Sequence, residues 1–135
     1  MLMEMMDIKG TIIEALGIET LLLTPEKVIC TMPVNERTKQ PFGYLHGGAS
    51  VVLAETVASI GAWACIDQER EVAMGMEINA NHLRSVSQGI VTATGMPLHR
   101  GRRSMVWEIK LTDEQDRLIC ISRCTVAISP KRPEQ

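Results

Sequence analysis

Aromatic residues are scarce in this chain of 135 residues, which contains one Phe, one Tyr and two Trp. A surface that stacks nucleic-acid bases uses several exposed aromatic rings. The chain also lacks a large excess of positive or negative charge, because its formal net charge at pH 7 is only −2. With neither a stacking surface nor a broad basic field, we expect no nucleic acid and no membrane among the partners.

Several sequence motifs are also absent. The cysteines form no Cys-x-x-Cys pair, and no group of His and Cys has the spacing of a zinc site. The Gly-x-Ser-x-Gly elbow of serine hydrolases and the Gly-rich phosphate loops are missing. We therefore expect no metal and no resident cofactor. The four cysteines are expected to be buried free thiols in a reducing, cytoplasmic environment: Cys30, Cys65, Cys120 and Cys124.

The start of the chain lacks the basic region and apolar core of a signal peptide, and the longest apolar run is interrupted by Glu55. A single domain over residues 1–135 is expected. Apolar residues at helical spacing predict an N-terminal helix within residues 1–17, and 130–135 is predicted to be a polar tail. Strands are predicted, in order, over 18–23, 27–34, 72–83, 89–98, 103–112 and 117–129.

Alternation within the strand predicted over 72–83 assigns its residues to two faces. The apolar face is predicted to contain Val72, Met74, Met76, Ile78 and Ala80. The opposite face is predicted to contain Gly75, Glu77, Asn79 and Asn81.

The longest apolar run, residues 49–66, predicts a helix of about five turns. It is apolar on nearly every side, as expected for a helix that is buried all round. One helix followed by four strands indicates an α+β fold in which the helix packs on a curled antiparallel sheet. Since one sheet of this size cannot surround a helix, part of its surface is expected to meet a second subunit, in a homodimer at least.

Two glycines, Gly47 and Gly48, precede this helix, where backbone N–H groups have no intrahelical partner. Such an end can hold an anion or a developing oxyanion, although an ordinary turn would use the same residues. Glu55 lies about 12 Å further along the helix axis. A carboxylate that reaches the glycine end would therefore come from a neighbouring subunit, unless Glu55 is a satisfied acid without a chemical role. Ser59 lies one turn beyond it, on the same face.

Three histidines are candidates for a site. His46 could be a base, an orienting donor or a helix cap, whereas His82 and His99 are predicted at strand ends, where ligands often bind. The segment from His99 to Arg103 is the strongest basic patch of the chain. It could be a solvated turn, or it could bind the phosphates of a nucleotide-bearing thioester.

A pattern within these residues resembles a known family. It consists of Gln40, the loop 41–45, His46-Gly47-Gly48, and Glu55 nine residues after the His. With Met76-Glu77-Ile78-Asn79-Ala80-Asn81-His82, and Pro97-Leu98-His99 followed by Gly101 and Arg102, it is similar to the hotdog-fold acyl-CoA thioesterases of the phenylacetate-degradation-like (PaaI-like) group. The likeness runs from Thr20 to Ile128 and is strongest to hydroxybenzoyl-CoA and 1,4-dihydroxy-2-naphthoyl-CoA thioesterases.

The resemblance implies an acyl-CoA substrate, a site across a dimer interface and dimers that pair into a homotetramer. Glu55 would be the nucleophile or the general base on a water molecule, and the Gly47 N–H would polarise the thioester carbonyl. Gln40 and His46 would help to hold the carbonyl and the leaving thiolate, and Ser59 would orient the water or the acid. The residues implied to bind coenzyme A are Gly75, His82, Arg84, Ser85, His99, Arg100, Gly101 and Arg102.

The sequence departs from the family at one position, because many PaaI-like enzymes have Asp where this chain has Glu55. Glu is typical of the aryl-type relatives, so aromatic acyl groups are expected. The residues expected in the acyl pocket, Tyr44, Val57 and Ile60, do not specify one substrate. The alternatives to the enzyme are a non-catalytic acyl-CoA-binding module and a hotdog hydratase or dehydratase.

Overall fold

One antiparallel sheet organises the chain in a computed structural model, which describes residues 6–133. The elements are α1 (Ile12–Ala15), β1 (Glu19–Leu23), β2 (Val28–Pro33), α2 (Gly47–Cys65), β3 (Glu71–His82), β4 (Ile90–Arg100), β5 (Ser104–Thr112) and β6 (Leu118–Pro130). The strand order is β1-β2-β4-β5-β6-β3, and all pairs are antiparallel. The predicted α+β arrangement and all six predicted strands are confirmed.

The long helix α2 lies on the concave face of this sheet and contacts strands β1 to β6. Leu53, Val57 and Ala58 are fully buried there, against an apolar inner face that includes Trp107 and Ile109. Burial of this apolar surface is the main favourable contribution to folding. By length and composition alone, α2 could cross a membrane, but half of its most apolar window is buried inside the fold.

Two glycines let the helix approach the sheet closely. A Cβ atom on Gly61 would lie 2.4 Å from Cη2 of Trp107, and one on Gly95 would lie 2.4 Å from Cγ1 of Val57. Neither position has room for a side chain, because interiors of proteins are packed as densely as organic crystals. The indole of Trp107 therefore fills the space that Gly61 leaves empty.

The sheet of a single chain leaves one side of α2 open, as its size led us to expect. Val52, Glu55, Thr56 and Ser59 are only half-buried, because the sheet curls around one side of the helix and leaves this side open. The open side contains Glu55, the only acidic or basic side chain of the helix. The physical difficulty of burying an unpaired carboxylate is thus avoided within one chain.

The N-terminal helix is much shorter than predicted, and residues 1–5 lie outside the described part of the chain. Only Ile12–Ala15 is helical. Gly10 adopts a φ of +75°, which breaks a right-handed helix, and Asp7 Oδ1 accepts a hydrogen bond from the Lys9 N–H in a local turn. The predicted end is confirmed, since Gly17 has a φ of +72°.

The predicted faces of β3 are wrong before its bulge. A register shift between Gly75 and Glu77 places Gly75 opposite the buried Val126, whereas Met74 and Met76 are 65% and 67% exposed. A bulge adds one residue to one strand and thereby exchanges the faces on either side of it. The polar tail also begins later than predicted, because Pro130 belongs to β6 and the Lys131 N–H donates to the Arg70 carbonyl at 2.8 Å.

All four cysteines are free, as predicted. Burial raises the pKa of the thiols of Cys30, Cys65 and Cys120. Burial, with the charges of Glu55 and Glu77, raises the pKa of Cys124 to about 11. Cys65 is only half-buried, contrary to expectation, because it ends α2 where the sheet no longer covers the helix. These thiols are protonated at neutral pH, which disfavours them as nucleophiles.

The contact between Gly61 and Trp107 can be tested by a double-mutant cycle. Gly61→Ala is expected to lower the free energy of unfolding by about 1–3 kcal/mol, because the added methyl group overpacks the indole. Trp107→Phe removes the benzo part of the ring, so the double variant should be less destabilised than the sum of the two single variants. Urea unfolding measures all three. Strict additivity would show that the two residues do not constrain each other.

Candidate active site

The loop between β2 and α2 is tied down by a buried threonine. Thr38 is 1% exposed, and its hydroxyl donates to the Pro33 carbonyl at 2.9 Å and accepts from the Asn35 N–H at 3.0 Å. Its carbonyl accepts a hydrogen bond from the His46 N–H at 2.8 Å. Thr38 therefore joins the end of β2 to the residue that begins the helix.

The same loop fixes the side chain of Gln40. The Gln40 N–H donates to the Tyr44 carbonyl at 2.8 Å, which closes a tight turn. The side-chain oxygen Oε1 accepts a hydrogen bond from the Phe42 N–H. Because Oε1 is used in this way, the amide Nε2 of Gln40 is left to donate to a ligand.

His46 is the N-cap of α2. Its Nδ1 atom accepts a hydrogen bond from the Gly48 N–H at 2.8 Å, and its carbonyl accepts from the N–H groups of Ala49 and Ser50 at 3.0 and 3.2 Å. Within residues 6–133, the Gly47 N–H donates to no protein acceptor. The cap thus satisfies the neighbouring amides and leaves one amide at the positive end of the helix for a ligand.

A cavity of about 370 Å³ lies beside this helix end. Among the residues that line it are Gln40, Gly47, His82, Arg84 and Ser85. His82 faces the helix, and its Nε2 atom would lie 3.0 Å from a Cβ atom on Gly47. Five of the predicted site residues are therefore brought together here, around an unpartnered amide.

Glu55 occupies a second cavity, of about 460 Å³, on the open side of α2. Its Oε2 atom would lie 3.0 Å from a Cβ atom on Gly75, so a larger residue there would crowd the carboxylate. In the described part of the chain, no hydrogen bond or ion pair to Glu55 is formed. Ser59 lines the same cavity, although no hydrogen bond joins it to Glu55.

The basic segment forms a third group, at the other end of the helix. Arg100 Nη1 donates to the Pro25 carbonyl at 3.5 Å and lies 3.9 Å from Glu26 Oε1. Burial raises the pKa of Cys65, at the C-terminal end of α2, while the neighbouring Arg100 opposes this rise. His99 and Arg102 are exposed, and a Cβ atom on Gly101 would lie 2.6 Å from His99 Nε2.

One chain does not bring the three groups together. Gly47 and Glu55 are separated by about 12 Å along the helix axis, and the two ends of a helix of this length are about 27 Å apart. The Gly47 N–H and the Glu55 carboxylate therefore cannot act on one carbonyl within a single subunit. Each chain therefore presents the Gly47 amide and the Glu55 carboxylate at two separate places on α2.

Some residues near the site were not expected from the sequence, and one expected residue is elsewhere. Met6, Ile12 and Ile13 line the Glu55 cavity, although the sequence patterns predicted no part in the site for residues 6–13. Ile60 lines the same cavity, as expected of an acyl-pocket residue. Val57 is fully buried against Gly95, so it cannot contact a ligand.

The comparison with known proteins now gives the class. Residues 42–120 match the model of the Thioesterase superfamily, and the chain belongs to that family. It is a thioester hydrolase with the hotdog fold. A thioesterase of Pseudomonas aeruginosa, crystallised as a glutamine-to-alanine variant, superposes with a TM-score of 0.90 at 43% identity, covering 92% of this chain and 89% of that one.

Two relatives have more specific names. The chain is 53% identical over 119 residues to a 1,4-dihydroxy-2-naphthoyl-CoA hydrolase of Listeria monocytogenes, covering 88% of this chain and 96% of that protein. It is 48% identical over 120 residues to a protein of the same name from Escherichia coli, covering 89% and 88%. Matches of this length include Gly47, Glu55 and the basic segment.

The threonine that ties down the loop gives a testable prediction. Thr38→Val keeps the shape of the side chain but leaves the Asn35 N–H without its partner, so stability should fall by about 1–3 kcal/mol. Because His46 and Gln40 would lose their fixed positions, kcat for thioester hydrolysis should fall more than KM changes. Thr38→Ser, which keeps the hydroxyl, should restore both. Thermal unfolding and steady-state kinetics measure these effects, and destabilisation with an unchanged kcat would contradict the positioning role.

Proposed function

We propose that this protein is a homo-oligomeric acyl-CoA thioesterase that favours aromatic acyl groups and releases the free acid and coenzyme A. The observation that carries this proposal is the Glu55 carboxylate, which has no partner among the described residues and faces an apolar cavity. The names of the two hydrolases above support a coenzyme A thioester, and the aryl type among them. Four free thiols fit a cytoplasmic enzyme.

The chemistry requires few groups. Glu55 accepts a proton from a water molecule as the water oxygen attacks the thioester carbonyl carbon, or its own oxygen attacks that carbon and water then cleaves the anhydride. In both routes the C–S bond breaks and the thiolate leaves with a proton. Thiolate is a fair leaving group, so we propose that neither a metal nor a resident cofactor takes part.

The N terminus of α2 supplies the complementary half. As negative charge develops on the carbonyl oxygen, the Gly47 N–H donates to it from a position that needs no reorganisation. The amide Nε2 of Gln40 is a second donor beside it. Because Nδ1 of His46 accepts from Gly48, the ring proton is on Nε2, where it can be donated to the carbonyl or to the leaving thiolate. Ser59 orients the water or the acid.

The remaining predicted residues are assigned to the coenzyme A part of the substrate. His82, Arg84 and Ser85 lie beside the Gly47 amide, where the pantetheine arm of a bound thioester would pass. His99, Arg100, Gly101 and Arg102 form a separate basic segment that suits phosphates. Gly75 leaves space beside Glu55.

A second copy of the chain completes the site in this proposal. The twelve-residue strand β3 pairs only with β6 in the described sheet and so has a free edge, beside which Met74 and Met76 are exposed. Natural proteins rarely leave so long an edge strand uncovered. Pairing of β3 with the same strand of a second copy, followed by pairing of dimers into a tetramer, would bring Glu55 of one helix towards Gly47 of the other.

The proposed catalytic role of Glu55 is tested by removing its carboxylate. Glu55→Ala should lower kcat/KM for benzoyl-CoA by about 10²–10⁴-fold, because this is the usual contribution of a positioned base. Free thiol released from benzoyl-CoA measures the rate, and circular dichroism checks the fold. Glu69→Ala, which removes an exposed acid from the turn between α2 and β3, is the matched control and should hydrolyse normally. Turnover by Glu55→Ala at the wild-type rate would exclude the proposed mechanism.

The shared site is tested by combining two damaged subunits. Gly47→Pro removes the N–H at the first helical position, which proline tolerates, whereas Gly47→Ala adds a Cβ atom but keeps the N–H. Gly47→Pro alone should lose about 10²–10³-fold in kcat relative to Gly47→Ala. Co-expressed with Glu55→Ala, it should recover about a quarter of the wild-type activity, because half of the dimers then contain one intact site.

The recovery depends on mixed dimers. Differently tagged subunits, purified through both tags, provide them, and about half of the wild-type activity is then expected because every dimer contains one intact site. Mixed dimers that are no more active than either variant alone would show that Gly47 and Glu55 do not act on the same carbonyl.

A further inference from the structure

We infer that the N-terminal arm, defined here as residues 6–16, is the wall of the acyl pocket and sets which acyl groups the enzyme accepts. This inference rests on the proposed function, because it assumes that the thioester carbonyl is attacked beside Glu55. It concerns residues to which the sequence patterns assigned no part in the site.

The cavity at Glu55 has two apolar walls. Val52 and Ile60 of α2 form one, and the arm supplies Met6, Ile12 and Ile13 as the other. If the carbonyl carbon lies beside the Glu55 carboxylate, the remaining carbons of the acyl group must lie against these walls. A volume of about 460 Å³ is in the ordinary range for ligand pockets, which are mostly apolar and contain a few placed polar groups.

The arm is held firmly enough to act as a wall. Ile13 and Leu16 pack against the hydrophobic core, and the Ile13 carbonyl accepts a hydrogen bond from the Ile18 N–H at 3.0 Å. Gly17, with its φ of +72°, packs closely against the ring of Pro33, at 3.1 Å from its would-be Cβ atom. The turn at Gly17 therefore directs the arm back over the open side of α2.

The arm also exposes apolar surface towards the cavity. Ile12 is 54% exposed and Ile13 is half-buried. Apolar side chains that remain exposed beside a catalytic acid are available for an apolar ligand. The shape of the arm, rather than that of the rigid helix, then limits the size of the acyl group.

The test compares substrates of different size in variants of the arm. Ile13→Phe fills the cavity and should lower kcat/KM for 1-naphthoyl-CoA about tenfold or more relative to acetyl-CoA, because small changes in an apolar pocket discriminate to this extent. Ile13→Ala enlarges the cavity and should raise kcat/KM for 1-naphthoyl-CoA relative to acetyl-CoA. Leu16→Ala is the matched control, since Leu16 belongs to the same arm but does not line the cavity, and it should leave the ratio unchanged.

The outcomes separate this inference from the proposed function. If the wild-type enzyme hydrolyses the thioesters but Ile13 variants change all rates equally, the inference is overturned and the proposed function stands. If Ile13 variants instead change the oligomeric state in analytical ultracentrifugation and leave the ratio unaltered, the arm belongs to a subunit contact and the inference is again overturned. A wild-type protein that hydrolyses no CoA thioester would overturn both.

Discussion

The contact between the helix α2 and Trp107 of the sheet is the constraint on which the rest of the structure depends. Gly61 and Gly95 have no room for a side chain, so the helix can take only one position and one rotation on the concave face. The indole Nε1 has no hydrogen-bond partner among the described residues, at a cost of about 1–3 kcal/mol. The packing of the large ring must offset that cost, which indicates how strongly the fold depends on filling this space.

Because the helix is fixed, the positions of the two proposed reacting groups on it, the Gly47 N–H and the Glu55 carboxylate, are fixed as well. Gly47 and Glu55 are part of one rigid element, and neither can move towards the other. The His46 cap determines which amides are free. Its Nδ1 atom accepts a hydrogen bond from the Gly48 N–H, whereas the Gly47 N–H has no acceptor among the described residues. Two groups held at a constant separation suit the proposed assembly, in which each of two identical subunits contributes one group to each site.

The sequence predicted most of this architecture because the information was local. Alternation located all six strands, and the apolar run with its two glycines located the helix and Gly47. Non-local features were not predictable from spacing: the pairing of β3 with β6, the tether of the loop by Thr38, and the contact of Gly75 with Glu55. The bulge at β3 exchanged the faces of Met74 and its neighbours, because a bulge is set by the partner strand and has no fixed sequence signal.

The helix α2 and the N-terminal arm contribute different parts of the proposed site. The proposed acid and the proposed oxyanion donor lie on the helix, whose rotation is fixed by the core, whereas the arm packs against the core from outside it. A substitution at Ile12 should alter the volume beside Glu55 without moving its carboxylate, because Ile12 is 54% exposed and lies outside the residues packed against the core. Substitutions at buried positions of α2 would move the helix. A change of side-chain volume at Val57, for example, would displace Gly95 and the sheet. A fold built in this way can change its acyl preference while its chemistry is retained.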